Sequence, residues 1–415
     1  MSDIFDICES SLNNISSKLN EISIQIWKNP ELAHQENLAH KLLTDFLGNQ
    51  GLKLEQHYVN PTGFKAEFVV DATDDKGDRK LPHICFLCEY DALPELGHAA
   101  GHNLCAIANI AAALAVKQCI QEGATNAAKI SVLGTPAENN GGGKIELVAK
   151  DCFADMDCVL MLSPLNCNMA KPEHYALVEM NVIYKGKAAH SSAFPWEGRN
   201  ALDAAVACYN NISLLRHNIK PTWSVNGIIT EGGMQPNVIP HVAKLRYWLR
   251  APEHTDLVLL QQRCTACVVA AAKATNTEAS YSFDEPMYHP MKNNNKLAEL
   301  YEAKATSIGM VFNQDMSLLQ IGSTDMGNVS QEVPSLNPGF DIGTEAALHS
   351  VAFKDAAGST AAHDNTMKAA KALALAVCEL INNGELLQMV RDEFQEQASV
   401  EALTRKTSHS SLGST

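Results

Sequence analysis

The chain has 415 residues, of which 46% are hydrophobic, 19% are charged and 6% are aromatic, and its formal net charge is −15. This composition is typical of a soluble globular protein long enough for two domains, and it excludes a disordered or collagen-like chain. An acidic chain without a basic block is a poor partner for nucleic acids or anionic membranes, and its longest apolar run, 106–116, is too short to span a bilayer.

The ends of the sequence and its cysteines indicate the cellular compartment. Residues 1–19 lack the basic and apolar regions of a signal peptide, and the last residues match no retention or peroxisomal signal. We therefore expect a cytoplasmic protein whose twelve cysteines are free buried thiols. Two C-x-x-C spacings, Cys85/Cys88 and Cys264/Cys267, fall in a predicted strand and a predicted helix, and we interpret them as core residues rather than as a zinc site.

The first 176 residues are predicted to alternate strands and helices. The predicted elements are two helices within 1–50, strands at 52–59 and 64–71, a polar loop at 73–78, a strand at 83–89, a helix at 103–121, a strand at 129–135, a helix at 143–150 and a strand at 158–162. Strands that alternate with helices favour an α/β domain with a mostly parallel sheet.

A different order of elements begins near residue 177. The predicted elements are a strand at 177–186, a helix at 199–217, strands at 222–231 and 241–250, a helix at 255–274 and a strand at 277–284. This βαββαβ order is typical of the ferredoxin-like module. We therefore predict an α+β lid domain over 177–285, inserted into a discontinuous α/β domain built from 1–176 and 286–403.

After Pro290 the α/β pattern resumes. The predicted elements are a helix at 296–308, strands near 318–321 and 339–342, and helices at 358–383 and 385–403. Residues 404–415 are rich in serine and threonine and are predicted to be a flexible tail.

Polar motifs follow several of the predicted strands. They are EYDALP and GHAAGHN within 89–103, TPAENNGGGK at 135–144, a short segment at 161–164, and a late segment around His349. Open α/β sheets place their sites at the carboxyl ends of strands, so we expect these motifs to carry the chemistry. The glycine-rich motif is not a phosphate loop, because Ile145 follows Lys144 where such a loop has Ser or Thr.

These motifs resemble those of the zinc-dependent aminoacylase, carboxypeptidase and dipeptidase family, peptidase family M20. The likeness is strongest to its amidohydrolase branch, which contains auxin-conjugate hydrolases and β-alanyl-lysine dipeptidase. It spans about residues 20–390 and includes GKAAHSSAFPWEGRNALDA, NGIITEGGMQPNVIP, RYWLRA and GSTDMGNVS. The resemblance implies a catalytic domain for two metal ions and a ferredoxin-like lid through which family members dimerise, so we expect a homodimer.

The resemblance also shows metal-ligand positions that lack ligands. The family's cysteine, its second glutamate and its H-P histidine correspond to Ala100, Asn139 and Ser163. His102 and His349 remain, and Glu138 stands where the family keeps its general base. Two histidines cannot by themselves close a tetrahedral zinc site. We therefore predict that the dimetal site is lost and that no cofactor is bound, with a single zinc ion as the alternative.

Other family positions are retained. By resemblance, His190 is the lid histidine that polarises the substrate carbonyl, and Asp91 is a carboxylate behind the ligands. The predicted substrate-binding residues are Asn237, Arg250, Asn139, Ser163 and Asp91. Cys105, one helical turn after His102, is interpreted as an inert core residue.

Three functions fit these residues. We favour a metal-independent enzyme in which Glu138 is the general acid/base for a condensation, cyclisation, isomerisation or elimination on a small amine or amino-acid-derived substrate. His102, His349 and His190 would assist it. One alternative is a non-catalytic relative that binds a ligand or regulates an active paralogue. The other is an amide or dipeptide hydrolase with one loosely bound metal ion, held by His102, His349 and either Glu138 or Asp91.

Overall fold

The computed structural model describes residues 3–69, 81–285, 287–312 and 322–412 of the chain. The chain divides into two compact units. The first comprises 1–173, 292–321 and 328–415, and the second comprises 174–291 and 322–327. The sequence places the two boundaries at 176/177 and 285/286, and it gives no sign that the short segment 322–327 groups with the second unit.

Twelve strands and eleven α-helices are formed by the described residues. The strands are β1 (Lys53–Gln56), β2 (Phe64–Val69), β3 (His83–Cys88), β4 (Lys129–Gly134), β5 (Cys158–Leu160), β6 (Ser163–Leu165), β7 (Ala176–Lys185), β8 (Ser224–Glu231), β9 (Val242–Ala251), β10 (Glu278–Phe283), β11 (Ser335–Leu336) and β12 (Gly339–Asp341). The helices are α1 (Ile4–Lys28), α2 (Asn37–Asn49), α3 (His102–Gln121), α4 (Gly143–Val148), α5 (Ala201–Leu215), α6 (His254–Thr275), α7 (Asn295–Ser307), α8 (Met326–Val329), α9 (Val351–Ala357), α10 (Thr360–Asn382) and α11 (Gly384–Leu412).

The first unit is built on a six-stranded sheet with the order β1-β2-β4-β3-β5-β11. Strands β4, β3, β5 and β11 run parallel to one another, and β2 pairs antiparallel with both β1 and β4. Every residue of β3 is buried, which explains why the strand is a continuous apolar run rather than an alternating one. The predicted α/β fold with a mostly parallel sheet is confirmed.

Helix α3 forms the centre of the first unit's helical layer. It packs against α1, α10 and strand β3, and its alanine-rich sequence allows these elements to approach closely. Helices α3 and α6 both have the length and composition of a membrane span. For α3, burial in the core accounts for the apolar composition, since 89% of its apolar window is buried.

The second unit has the βαββαβ order that the sequence predicts. Its four strands form an antiparallel sheet with the order β10-β7-β9-β8. Along β7 every second residue is buried, and the buried face packs against helices α5 and α6. The ferredoxin-like lid architecture is therefore confirmed.

The structure differs from the sequence prediction near the end of the chain. The helix predicted at 358–383 is α10, which begins at Thr360 because Ser359 caps it by accepting the N–H of Ala362, whereas the short helix α9, which ends before Gly358, was not predicted. Helix α11 continues to Leu412, whereas the sequence predicts a flexible tail from 404; no proline or glycine interrupts 385–412. The predicted strand at 318–321 and loop at 73–78 lie outside the described residues.

Candidate active site

The candidate site lies where two neighbouring parallel strands end. Strand β3 pairs with β4 so that Cys88 is opposite Gly134, and the segments that follow both strands therefore leave the sheet side by side. A Cβ atom at Gly134 would lie 2.2 Å from the ring of Phe64, so only glycine fits there. This register brings the segment that begins with Glu89 next to the segment that carries Glu138.

A strained turn supports Glu138. Ala137, the preceding residue, has a left-handed backbone with a φ of 63°. Its N–H donates to Glu36 Oε1 at 2.9 Å, and its carbonyl accepts the N–H of Gly142 at 2.9 Å. Glu36 is fully buried and also accepts the hydroxyl of Thr62 at 2.7 Å; burial raises its pKa above the ordinary value. Glu36 thus anchors the turn, a role that sequence analysis did not identify.

His102 is the first residue of α3 and is held in one orientation. The preceding Gly101 has a φ of +76°, and a Cβ atom there would lie 2.8 Å from Pro164. The Nδ1–H of His102 donates to the backbone carbonyl and to Oδ1 of Asp91, each at 2.9 Å. Its Nε2 then faces Glu89 Oε2 at 3.3 Å and Glu138 Oε2 at 3.8 Å.

The charges around His102 favour a cation. Burial alone would lower the pKa of His102, but Asp91, Glu89 and Glu138 outweigh it and raise this pKa to about 10. Burial would likewise raise the pKa of Asp91, but His102 and two donors on Asn139 lower it to about 2. The backbone N–H and the Nδ2 of Asn139 reach Asp91 Oδ2 at 2.9 and 3.0 Å.

Glu89 is a second residue of this site that the sequence analysis missed. Its Oε1 accepts a close hydrogen bond from the fully buried ammonium of Lys144. Its Oε2 lies 3.9 Å from the sulfur of Cys105, whose pKa burial raises well above the ordinary value, so that this thiol keeps its proton. Carboxylate oxygens of Glu89 and Glu138 lie within 4.8 Å of one another. The available sequence signal was the position of Glu89, directly before Tyr90 and Asp91 at a strand end.

The other predicted site residues of the first unit differ in their contacts and exposure. Ala100 offers no donor, and Asn139 binds Asp91 as described. Ser163 begins β6, and its hydroxyl donates to Asn337 Oδ1 at 2.8 Å. His349 is exposed, has a φ of 59°, and its backbone N–H donates to the carbonyl of Ala99 at 3.0 Å. That hydrogen bond ties the His349 loop to the segment that leads into α3.

In the second unit, His190 and Asn237 lie on adjacent loop segments. The backbone N–H of Ser191 donates to the carbonyl of Asn237 at 3.1 Å, and both predicted side chains are exposed. The Nδ1 of His190 accepts the N–H of Ala193 at 3.2 Å. A neutral ring that accepts at Nδ1 carries its proton on Nε2, so His190 can donate a hydrogen bond from Nε2.

Arg250 lies in β9 of the same unit. Its Nη1 donates to Asn226 Oδ1 at 3.3 Å, and its guanidinium lies 5.1 Å from the ring centre of Trp248. Burial lowers the pKa of Arg250, and its buried Nε has no hydrogen-bond partner among the described residues. The guanidinium therefore has unused donor capacity for an anionic group.

Comparisons with known proteins agree with this architecture. Residues 173–276 match the family model of a peptidase dimerisation domain. The chain is 41% identical to a mouse Xaa-Arg dipeptidase over 94% of this chain and 92% of that protein. It is 27% identical to a p-aminobenzoyl-glutamate hydrolase chain of Escherichia coli over 95% and 96% of the two chains. A Bacillus subtilis crystal structure, described as a dinuclear metal-binding peptidase of the M20 family, has a TM-score of 0.65 and 16% identity, and covers 88% of this chain and 99% of that one.

These findings correct two predictions. The favoured function, a metal-independent acid/base enzyme, is wrong: the similar proteins are named as a dipeptidase and a hydrolase. The prediction that no cofactor is needed is also wrong, because a structural relative is described as binding two metal ions and Glu89 and Glu138 bring two carboxylates together here. Both errors have the same cause. The prediction considered only the family's ligand positions, three of which are occupied by Ala100, Asn139 and Ser163, and it overlooked the carboxylate of Glu89. The relatives do support the prediction of an enzyme.

Proposed function

Because the chain belongs to the M20 family of peptidases and amidohydrolases, we propose that it is a metal-assisted hydrolase of dipeptides with a basic C-terminal residue. The observation that carries this proposal is the orientation of His102, whose Nε2 faces the carboxylates of Glu89 and Glu138 while Asp91 holds Nδ1. The substrate class follows the Xaa-Arg specificity in the name of the mouse relative.

The residues present fit one divalent cation. Glu89 and His102 would hold it, since a histidine whose other ring nitrogen is bound to a carboxylate is the usual metal ligand. The raised pKa of His102 indicates that this pocket stabilises positive charge. Nitrogen and oxygen donors suit zinc or manganese, and an incomplete protein shell leaves positions open, as in catalytic sites. When bound, such an ion polarises the scissile carbonyl and lowers the pKa of water.

The remaining groups of the first unit divide the work of proton transfer and orientation. Glu138, whose side chain is 13% exposed against 4% for Glu89, is the carboxylate more accessible to water, and we assign it as the proton acceptor for the attacking water. Asp91 fixes the tautomer of His102, and Asn139 fixes Asp91. Lys144 balances the charge of Glu89 and keeps that side chain in place.

Within the second unit, three side chains carry donor groups of the kinds that bind peptide oxygens. His190 carries a proton on Nε2 that can be donated to a carbonyl oxygen. The unused donor capacity of Arg250 suits the terminal carboxylate of a dipeptide. Asn237, on the loop beside His190, is a further donor for a substrate oxygen.

The experiment that tests this proposal combines metal analysis with a substrate panel. The full chain is freed of metal with a chelator, and hydrolysis of Xaa-Arg, Xaa-Lys and Xaa-Ala dipeptides is measured before and after addition of zinc or manganese. We expect activity only with metal, and a higher kcat/KM for the basic dipeptides. Hydrolysis at full rate by metal-free protein, or no hydrolysis under any metal condition, would contradict the proposal.

Two variants separate metal binding from proton transfer. His102→Ala should lose both bound metal and activity, because it removes a ligand. Glu138→Gln should keep the metal and lose kcat by about 10²–10⁴-fold, because a neutral amide cannot accept the proton. Glu146→Gln is the matched control, because Glu146 is an exposed glutamate on helix α4, shortly after Glu138 in the chain. This variant should keep the metal content and the kcat of the natural chain.

We further propose that the protein is a cytoplasmic homodimer that associates through its second unit. The match of residues 173–276 to a peptidase dimerisation domain supports the dimer. Light scattering of the purified chain should give twice the mass of 45.0 kDa. A monomer at micromolar concentration would contradict it.

A further inference from the structure

Three cysteines that are far apart in the sequence meet inside the first unit. Cys8 lies on α1, Cys119 on α3 and Cys378 on α10, and all three are fully buried. The sulfurs of Cys8 and Cys119 are 3.5 Å apart, and all three sulfurs lie within 4.8 Å of one another. We call this group the three-cysteine cluster.

The spacing of the cluster matches that of sulfurs around one metal ion. A metal–sulfur bond of about 2.3 Å places two sulfurs about 3.8–4.0 Å apart in tetrahedral or trigonal geometry. The Cys8–Cys119 distance of 3.5 Å lies just below this range, and the limit of 4.8 Å for all three pairs lies above it. The cluster contains sulfur alone, without a carboxylate or imidazole, and three thiolates without a harder donor select soft ions.

A second observation at the same place is the hydroxyl of Thr125. This side chain is only 5% exposed, and its hydroxyl is a hydrogen-bond partner of the Cys378 sulfur. The Thr125 backbone folds back on α3, since its N–H donates to the carbonyl of Cys119 at 3.2 Å. The Thr125 hydroxyl therefore adds an oxygen atom beside the cluster, next to Cys378.

The three-cysteine cluster is separate from the candidate active site. His102 and Cys119 lie on the same helix, 17 residues apart, which corresponds to about 25 Å along the axis. A metal ion in the cluster therefore could not touch substrate bound at His102.

We propose that Cys8, Cys119 and Cys378 form a binding site for a soft, thiophilic metal ion, with copper(I) as the best match. Copper(I) readily accepts three sulfur ligands, whereas zinc in a structural site takes four strong donors. Binding replaces the three thiol protons, which leave as three H⁺, and no electron is transferred. The affinity should therefore rise with pH. An ion held by α1, α3 and α10 would also crosslink three core helices.

The test is a copper(I) titration of the full chain under reducing conditions after chelator treatment. A colorimetric copper(I) chelator competes with the protein, and sulfur-to-copper absorption in the ultraviolet identifies the donor atoms. We expect one equivalent per chain with sulfur absorption, and weaker uptake of zinc(II). Cys378→Ser and the triple variant Cys8→Ala/Cys119→Ala/Cys378→Ala should lose that equivalent. Cys208→Ser, at a buried cysteine of the second unit, should keep it.

A labelling measurement on the natural chain covers the case in which the variants fail to fold. Cysteine alkylation in partial denaturant is mapped by mass spectrometry with and without copper(I), and the metal should protect Cys8, Cys119 and Cys378 selectively. Copper(I) uptake that is unchanged in the triple variant, or absent from the natural chain, would overturn the proposal. A Cys8–Cys119 disulfide that forms in air without any metal uptake by the reduced protein would overturn it as well.

Discussion

The two units of the molecule present their candidate functional residues in opposite ways. In the first unit, the side chains of His102 and Glu89 are 6% and 4% exposed, and each is held by buried hydrogen bonds. In the second unit, His190 and Asn237 are exposed, and the His190 ring is held by the backbone N–H of Ala193. The first group is organised before any ligand arrives, whereas the second must obtain much of its order from the ligand.

The same contrast applies to ion pairs. Lys144 and Glu89 form a pair in the first unit whose side chains are 0% and 4% exposed. Lys244 and Glu231 form a pair in the second unit whose side chains are 48% and 47% exposed. The same Lys–Glu pairing should therefore contribute very different amounts to the free energy of unfolding in the two units. Four measurements test how far this difference extends.

The largest effect is expected for Lys144→Met. Loss of the ammonium removes one of the two cationic partners of the buried Glu89 carboxylate and leaves only His102 among those described, which should lower the free energy of unfolding by about 3–5 kcal/mol. Urea denaturation of the metal-free protein measures it. Lys150→Met, at an exposed position just beyond α4, is the control and should change stability by less than about 0.5 kcal/mol. Equal effects at the two lysines would show that the buried pair is not a structural element.

The next effect concerns the backbone at the start of α3. Gly101 and Gly123 have similar left-handed conformations, with φ of +76° and +71°, but only Gly101 faces a close neighbour, Pro164. Gly101→Ala should destabilise by about 2–4 kcal/mol, through conformational strain and overpacking. Gly123→Ala, with no atom within 4 Å of its Cβ, should show only the strain of about 1–2 kcal/mol. Thermal unfolding of both variants measures the two losses of stability. A smaller loss for Gly101→Ala than for Gly123→Ala would show that Pro164 does not crowd a side chain at position 101.

A pH dependence follows from the buried imidazole of the first unit. The pKa of His102 rises from 6.5 to about 10 in the folded metal-free protein, so the folded state holds one more proton than the unfolded state between these values. The resulting stability is complete below about pH 6.5 and is lost as the pH rises towards 10, with a slope of up to about 1.4 kcal/mol per pH unit. His102→Gln should remove that slope and His190→Gln should keep it. Denaturation midpoints from pH 6 to 10 measure this, and an unchanged slope in His102→Gln would contradict the assignment.

The smallest effect is expected for Lys244→Met in the second unit. Both partners of its ion pair are about half exposed, so solvent screening limits the loss to about 0.2–1 kcal/mol. The same urea experiment applies, repeated at high salt, where the effect should vanish. A loss as large as that of Lys144→Met would mean that burial does not separate the two pairs.

Much of the fold was predictable because it depends on local periodicity. The apolar run of β3 and the alternating pattern of β7 each determine a strand and its environment, and the element order then indicates the two architectures. Helix α9 was missed because its seven residues are too few to show a helical period. The extent of α11 was missed because serine and threonine content is a weak signal for disorder.

The candidate site was predictable only where a motif preserved the relevant residue. Glu138 and His102 stand in such motifs, and the structure brings them together. Glu36 and Lys144 act through partners that only strand register and helix packing bring near, so their spacing in the chain carries no information. The three-cysteine cluster was missed for the same reason, since attention to C-x-x-C spacing cannot detect sulfurs contributed by three separate helices.

The discontinuity of the first unit has a consequence for biosynthesis. The second unit is almost continuous, at 174–291, and its core can close soon after that stretch leaves the ribosome. The first unit must wait, because strands β11 and β12 and helix α10, which packs along α3, come from the last third of the chain. Nascent chains should therefore carry a folded second unit beside an unfinished first one. Until translation ends, the exposed apolar surface of α3 would be the main chaperone-dependent segment.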